Sequence, residues 1–418
     1  MSKPSGVSRR IVTLDLLRGI ALLGILAVNI AGFAGPRVAT DTPNLPHTVG
    51  RLDEAAFAFV FLVFEGKMRA LFSILFGASM LLFIENAEAR GCDGDVAQLR
   101  RLGWLLVIGW LHSMLLWWGD ILFVYAVAGT FALCLRRLPS SMLLALAAAI
   151  YLGWHGRGMI GGWTAIGIEE HVRSGVASAT ERSWLASAQS SALAQMQVEI
   201  AQSRLGFIAM AESKLLHTPG WPMVMTLYTL GETLPLMLLG MVLQRSGLFA
   251  GEWPRARVEA MALGGIAVGG GMTSAMLGYL WPRHFPLETM QVVLGYGAAI
   301  PHVLMALGYA AAIVRMAPSL MARPLGRRVA AAGRMAFTNY LTTTLAMCGL
   351  FYGWGLGFYG RVAPAPQLGV MLGWWLIMLA WSAPWLARFR YGPLEWVWRS
   401  LSEWRLVSMR KNPAPAIA

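Results

Sequence analysis

A histidine eight residues before an aspartate, His112 and Asp120 in GWLHSMLLWWGDIL, is the pairing in this sequence best suited to acid–base chemistry. A carboxylate orients an imidazole and stabilises its protonated form, so the two together fit a general base near neutral pH. A buried neutral imidazole bonded to a neighbouring helix accounts for His112 equally well. LDLLRGIALLGILAVNI at 14–30 supplies a second set. At ~100° per residue, Asp15, Arg18 and Asn29 fall within roughly a 60° arc of one helix. Asp15 and Arg18 have the spacing of an ion pair, serving either as a lock between helices or as the lining of a path. Glu232 in YTLGETLPLMLLG precedes Pro235, which bends a helix and frees a carbonyl. His302 beside Pro301 is of the same kind, and Lys67 and Arg69 either meet a substrate or snorkel to a headgroup layer.

These groups lie in or beside apolar runs, which decides what must position them. The chain has 418 residues, is 57% hydrophobic and 13% charged, and its mean hydropathy is +0.56. A water-soluble core could not hide that much apolar surface, so lipid is the solvent. Windows able to cross ~30 Å of hydrocarbon fall near 12–33, 68–85, 102–118, 121–136, 140–156, 222–243, 258–280, 289–314, 335–352 and 368–387. The expected fold is therefore an all-α polytopic transmembrane bundle of about ten spans, ten or eleven, in a bacterial inner membrane. Most of the 34 Lys and Arg then fall on one side, which the positive-inside rule makes the cytoplasm, together with both termini.

Four regions follow. Residues 1–156 form a five-span half and 157–220 an extracytoplasmic amphipathic helical insert. Residues 221–400 form a second five-span half and 401–418 a cytoplasmic tail. Residues 53–64 are apolar but cut by Glu65, Lys67 and Arg69, so the chain is expected to bend or dip into the interface there. The first apolar run carries charges and reads as an uncleaved span. The Gly-rich LGGIAVGGG fits close helix packing. Net charge is +13, but the basic residues are scattered between apolar runs, which excludes a nucleic-acid face. Cys92, Cys134 and Cys348 match neither a metal cluster nor a disulfide framework, and no metal site is expected. G-x-S-x-G, H-E-x-x-H and phosphate-loop motifs are absent.

Together, LDLLRGIALLGILAVNI, EGKMRALFSILFGASMLL at 65–82, RRLGWLLVIGWLHSMLLWWGDILFVYAVAG at 100–129, and GRMAFTNYL with FRYGPLEWVWRSL near the C-terminus resemble the YeiB-like family of bacterial membrane proteins. That family is distantly similar to transmembrane acyltransferases of the acyltransferase-three and heparan-α-glucosaminide N-acetyltransferase types. The resemblance implies transfer of an acyl group from a cytoplasmic donor to an acceptor across the membrane. Arg18 matches the arginine of the acyltransferase-three pattern, whereas Asn29 stands where that pattern has its histidine. Asn cannot act as a general base, so His112 with Asp120 is the expected substitute.

The resulting expectation is a membrane-embedded acyltransferase using His112 and Asp120 as its catalytic pair. Asp15, Arg18, Asn29, Lys67, Arg69, Glu232, Arg334 and Asn339 are the expected substrate-binding residues, with Arg18, Arg327, Arg328 and Arg334 toward a phosphate-bearing donor. No tightly bound cofactor is expected, and acyl-CoA is the expected co-substrate. The expected partners are membrane lipids and a small-molecule, glycan or lipid-linked acceptor, with a homodimer allowed. The alternatives are a secondary transporter or lipid-handling protein using the same polar residues without covalent chemistry, and an assembly partner without turnover.

Overall fold

A computed structural model describes residues 12–411. Lys3, Arg9 and Arg10, and tail residues 412–418, lie outside the described residues, so the expected cytoplasmic placement of the two ends falls there. The described chain is all-α. Its helices are α1 (Val12–Ala34), α2 (Arg51–Val63), α3 (Lys67–Glu88), α4 (Gly94–Leu115), α5 (Leu122–Leu135), α6 (Ser140–Ser174), α7 (Ala179–Ser203) and α8 (Phe207–His217). They continue with α9 (Trp221–Arg245), α10 (Arg255–Leu280), α11 (Leu287–Val292), α12 (Ala299–Ala322), α13 (Pro324–Arg334), α14 (Ala336–Phe351), α15 (Pro364–Arg388) and α16 (Pro393–Glu403).

The expected windows fall mostly on helix, although 102–118 runs past the end of α4 and 289–314 is broken between α11 and α12; among the described residues seven stretches are long and apolar enough to cross a membrane: α1, α2 with α3, α6, α9, α10, α12 and α15. The windows at 102–118, 121–136 and 335–352 fall on α4, α5 and α14, which are not among the seven. The reasons differ. α4 spends its first turns on Asp95, Arg100 and Arg101, while α5 and α14 are shorter than the ~20 residues that span ~30 Å. The half boundary expected at 156 falls inside α6, which runs unbroken to a left-handed Gly175 because nothing between Arg157 and Ser174 stops a helix. The insert beyond it is helical, with α7 starting at a capping box between Ser178 and Glu181.

Hydrophobic burial sorts the helices into layers. In α1 and α9, 67% of the apolar window is buried inside the protein, against 22% in α6, α10 and α15. The first two are central and the last three face outward, where apolar side chains suit lipid. α10 packs tightly on α12, with Gly265 against Gly308, as expected of its glycines. Where the chain was expected to bend, α2 ends and Gly66 turns it into α3 at φ +69°. A side chain there would be strained and would also run into the His302 ring.

The ends of α3, α4, α5 and α9 meet on one face, where Arg136 bridges Asp95 and Glu88, and Arg245 donates to the carbonyls of Arg136 and Leu138. We call this the basic end. The opposite far end holds the C-terminus of α1 and the start of α2.

Candidate functional site

A cavity of about 410 Å³ opens at the basic end, between α1, α3, α4, α5, α14 and α16. Along α3 its wall runs from Phe72 to Asn86, about 21 Å at 1.5 Å per residue. Arg18, Arg101 and Arg334 all face it. Arg18 pairs with Asp15 at 3.2 Å and donates to the Ser79 hydroxyl. Arg101 lies 4.0 Å from the Phe83 ring centroid and 4.3 Å from that of Trp398, whose Nε1 donates to the Arg101 carbonyl at 3.0 Å. These aromatic faces steady a guanidinium that, among the described residues, no carboxylate neutralises by direct contact. Gln98 lines the same cavity, and its buried Oε1 has no hydrogen-bond partner among the described residues. Arg334 is brought alongside Arg18 because α13 packs backbone to backbone on α1, where a side chain at Gly19 would collide with the Val329 carbonyl. Glu395 on α16 accepts from the backbone N–H groups of Phe337 and Thr338, capping α14. Burial raises its carboxyl above the usual range despite these bonds.

The deep end of the cavity is closed by Tyr340, and behind Tyr340 stands the histidine pair. Its ring centroid is 5.3 Å from that of His112. His112 Nδ1 lies 2.8 Å from Asp120 Oδ1, and Asp120 Oδ2 accepts from the Phe123 N–H at 2.8 Å. Asp120 therefore both orients the imidazole and caps α5. With Nδ1–H donated to the carboxylate, a neutral ring presents Nε2 as an acceptor, and that atom is buried without a partner among the described residues. The pair is shut away from water. His112 is 3% exposed, and neither it nor Asp120 lines the cavity. On the far side α8 covers the α4–α5 turn, where Lys214 donates to the Leu116 carbonyl at 3.1 Å and Trp221 Nε1 to that of Trp118 at 3.0 Å. Burial lowers the Lys214 ammonium to about 8.

A second polar group lies deeper in the bundle. Arg69 Nε donates to Glu232 Oε1 at 3.1 Å, and its Nη1 is 3.7 Å from Glu65 Oε1. Arg69 thus pairs inside the protein and does not snorkel, although a third of its side chain is accessible. Lys67 does not snorkel either. It is fully buried and donates to the Phe61 carbonyl at 2.6 Å, because the Gly66 turn points it back toward α2. The Ser73 hydroxyl donates to the Arg69 carbonyl and lies 2.8 Å from the Tyr125 hydroxyl, and Tyr125 lines the basic-end cavity. On the other side, Glu65 lines a far-end cavity of about 260 Å³ with Thr40, His47, Asp53 and Gln367. The two cavities are therefore separated by one charged septum of Glu65, Arg69 and Glu232.

Several expected site residues stand elsewhere. Asn339 is fully buried and spends its amide on the Ala332 carbonyl, the Ser382 hydroxyl and the Trp381 indole N–H. It holds α14 to α15, with both amide N–H groups spent inside the fold. Asn29 lines neither cavity, although its neighbours Val28 and Ile30 line the far-end one. Arg327 and Arg328 are exposed on the outer face of amphipathic α13, and Arg327 caps the end of α12 through the Ala322 carbonyl. Asp15, Arg18 and Arg334 meet at the basic-end cavity; Lys67, Arg69 and Glu232 meet at the septum. Sequence reasoning passed over Arg101, Gln98, Trp398, Tyr340 and Glu65 as chemistry. Arg101 counted only as one of many basic end residues, while Tyr340 sat unremarked beside Asn339. The cysteines are free thiols, Cys348 buried and the others exposed.

Comparison with known proteins gives similarities without an activity. Residues 243–405 match the family described as protein of unknown function (DUF418). Over 406 residues the chain is 29% identical to the uncharacterized protein YxaH of Bacillus subtilis, covering 95% of each chain. It is 28% identical over 398 residues to the uncharacterized protein YeiB of Escherichia coli, covering 94% of this chain and 96% of that one. An uncharacterized 39.9 kDa protein of Bacillus acidopullulyticus is 26% identical over 416 residues. No solved structure matches the chain.

Proposed function

Starting from a chain that is YeiB-like, in a family of bacterial membrane proteins of unknown function, we propose that it is a membrane-embedded acyltransferase working across the inner membrane. In this reading the basic end faces the cytoplasm, ten spans are crossed, and both termini are inside. An acyl-CoA-like donor enters the basic-end cavity. Arg18, Arg101 and Arg334 hold its phosphates, and the acyl arm extends toward Tyr340. The acceptor is extracytoplasmic or lipid-linked.

The observation that carries the proposal is the shape and lining of that cavity: it follows about 21 Å of α3, with three guanidiniums facing it and a carboxylate-oriented imidazole behind its inner end. An anionic head and a long arm match such a site better than a compact solute does. Movement of the Tyr340 ring would open Nε2 of His112 to the reacting atoms, where it takes the acceptor proton and Asp120 stabilises the imidazolium. The bond broken is acyl carbon to sulfur and the bond formed is acyl carbon to the acceptor oxygen or nitrogen; the acceptor proton ends on the released thiol.

The test uses inverted membrane vesicles that carry native acceptors and expose the basic end. Labelled acetyl-CoA and a longer-chain acyl-CoA are added, and label retained in vesicle material is measured with release of free thiol. Transfer should depend on the protein, and His112→Ala should lower it by roughly 10² to 10⁴ with folding intact. Protein-dependent transfer that persists in His112→Ala would remove the catalytic pair. Absence of transfer would favour the second reading, a carrier, which the two cavities on opposite sides of a charged septum also suit.

A further inference from the structure

The far-end cavity is an apolar throat with a carboxylate at its inner end. Ala27, Ala31 and Ala34 of α1 line it together with Ala56, Val60 and Phe61 of α2. Its charged lining lies at two levels. Asp53, in the first turn of α2, and the exposed Arg361 stand toward the mouth, where their charges offset, and Asp53 caps α15 by accepting from the Ala365 N–H at 3.0 Å. Glu65 follows just past the end of α2, twelve residues on, or about 18 Å along a helix. Its backbone is satisfied: the N–H donates to the Val60 carbonyl at 2.9 Å, and its own carbonyl accepts from the Lys67 N–H at 2.8 Å. Its carboxylate is not. Among the described residues no hydrogen bond reaches it, and Arg69 Nη1 at 3.7 Å is too far to make one, because Arg69 spends its 3.1 Å bond on Glu232. Lys67, two residues away, gives its ammonium to the Phe61 carbonyl at 2.6 Å. Glu65 is thus a mostly buried carboxylate, its side chain 17% accessible, turned to a cavity with most of its bonding capacity unused.

We propose that the far-end cavity binds a compact organic cation, an amine whose ammonium reaches Glu65 and whose apolar body fills the throat. An ammonium supplies both things the carboxylate lacks, N–H donors and a positive charge at bonding distance. A hydroxyl would supply only the first, and an anion would be repelled. A bare metal ion does not fit, since hard cations collect several oxygen ligands and, among the described residues, no group of three His, Cys, Asp or Glu could hold one. The volume, about 260 Å³, lies just below the ~300 to 1,000 Å³ of common ligand pockets, which sets the ligand as small. Arg69 is then the ligand's competitor. Its guanidinium and the ammonium both draw on Glu65, and an occupied site leaves Arg69 to Glu232 alone. The site stands whether an acyl group or a solute crosses the membrane, since it rests on the cavity wall.

The test is binding of radiolabelled benzylamine to the full-length protein in lipid nanodiscs at pH 7, read by scintillation proximity against empty nanodiscs. Binding should saturate. Unlabelled benzylamine should displace the label at least tenfold more effectively than its neutral and anionic counterparts, benzyl alcohol and benzoate. This arm needs no variant, so it stands if a substitution fails to fold. Glu65→Gln should weaken binding at least tenfold. Arg69→Gln, which removes the competing cation, should tighten binding about threefold or more in the folded fraction, a gain that a merely structural role for Glu65 would not produce. Ala31→Trp, which fills the throat, should abolish it. Absence of saturable binding, equal displacement by benzyl alcohol or benzoate, or unchanged affinity in folded Glu65→Gln would each overturn the proposal. No acyl donor is present, so failure here is separate from failure of acyl transfer.

Discussion

Arg69→Gln is the substitution with the most to say about the interior. The guanidinium sits 3.1 Å from Glu232 and 3.7 Å from Glu65. At an effective dielectric of ~20, a pair at that closer distance attracts by about 5 kcal/mol before desolvation is charged against it. Removing one partner of a buried pair typically costs about 3 to 5 kcal/mol, because the other charge is left stranded. A third of the Arg69 side chain is accessible, so solvent relieves part of that cost and about 2 to 3 kcal/mol is expected. Glu232→Gln should cost about 1 to 2 kcal/mol, since Arg69 keeps Glu65. The double variant should recover about 1.5 kcal/mol of the summed losses, the signature of a direct interaction. Reversible denaturant unfolding in mixed micelles, followed by tryptophan fluorescence, measures all four corners of the cycle. Single losses that add to the double loss within about 0.5 kcal/mol would refute the pairing and with it the septum.

Asn339→Leu should lose about 2 to 3 kcal/mol of stability by stranding the Trp381 indole N–H, while binding of donor analogues such as coenzyme A to surviving protein stays unchanged; altered affinity would return Asn339 to the site. Gly66→Ala should lower the yield of folded protein sharply, because a Cβ meets the His302 ring at a positive φ, whereas Gly50→Ala, facing open space, should be neutral in the same fluorescence-detected chromatography. For Asp41 the folded-state carboxyl is raised from 3.8 to about 6. Its protonated form therefore favours the fold. That stabilisation is present below about pH 4 and lost as pH rises through 6, so melting curves at pH 5 and 7.5 should differ by this component in the wild type and not in Asp41→Asn. A slope of the opposite sign would show that Asp41 is not the group being titrated.

What the sequence made legible was decided by how each residue's role depends on distance along the chain. Helix windows and the Asp15–Arg18 pair need only local periodicity. His112 and Asp120 are separated by one tight turn, which leaves them few places to go but toward each other. Glu232 and Arg69 were each visible as a charge in an apolar run, yet their pairing joins residues 163 positions apart and no local pattern encodes it. Where α6 ends was not legible for a physical reason: mixed charges after Arg157 read as a departure from the membrane, but they do not end a helix. Asn339 misled because an amide in an apolar helix looks the same in sequence whether its bonds are spent on neighbouring helices or held open.

That last ambiguity is resolved only by counting bonds, and the count has a direction. A polar group inside a membrane protein costs free energy unless something satisfies it, so the groups left over mark where a ligand, water or proton belongs. Gln98 Oε1 is left over on the wall of the basic-end cavity, His112 Nε2 behind Tyr340 at its inner end, and His302 Nε2 beside the Gly66 turn at the septum. Asn339, Lys67 and Arg327, by contrast, have found their partners within the fold. Three of the nine such atoms among the described residues thus fall at or between the two cavities, whereas Trp118 Nε1, Gln244 Oε1 and Trp354 Nε1 belong to residues that line neither.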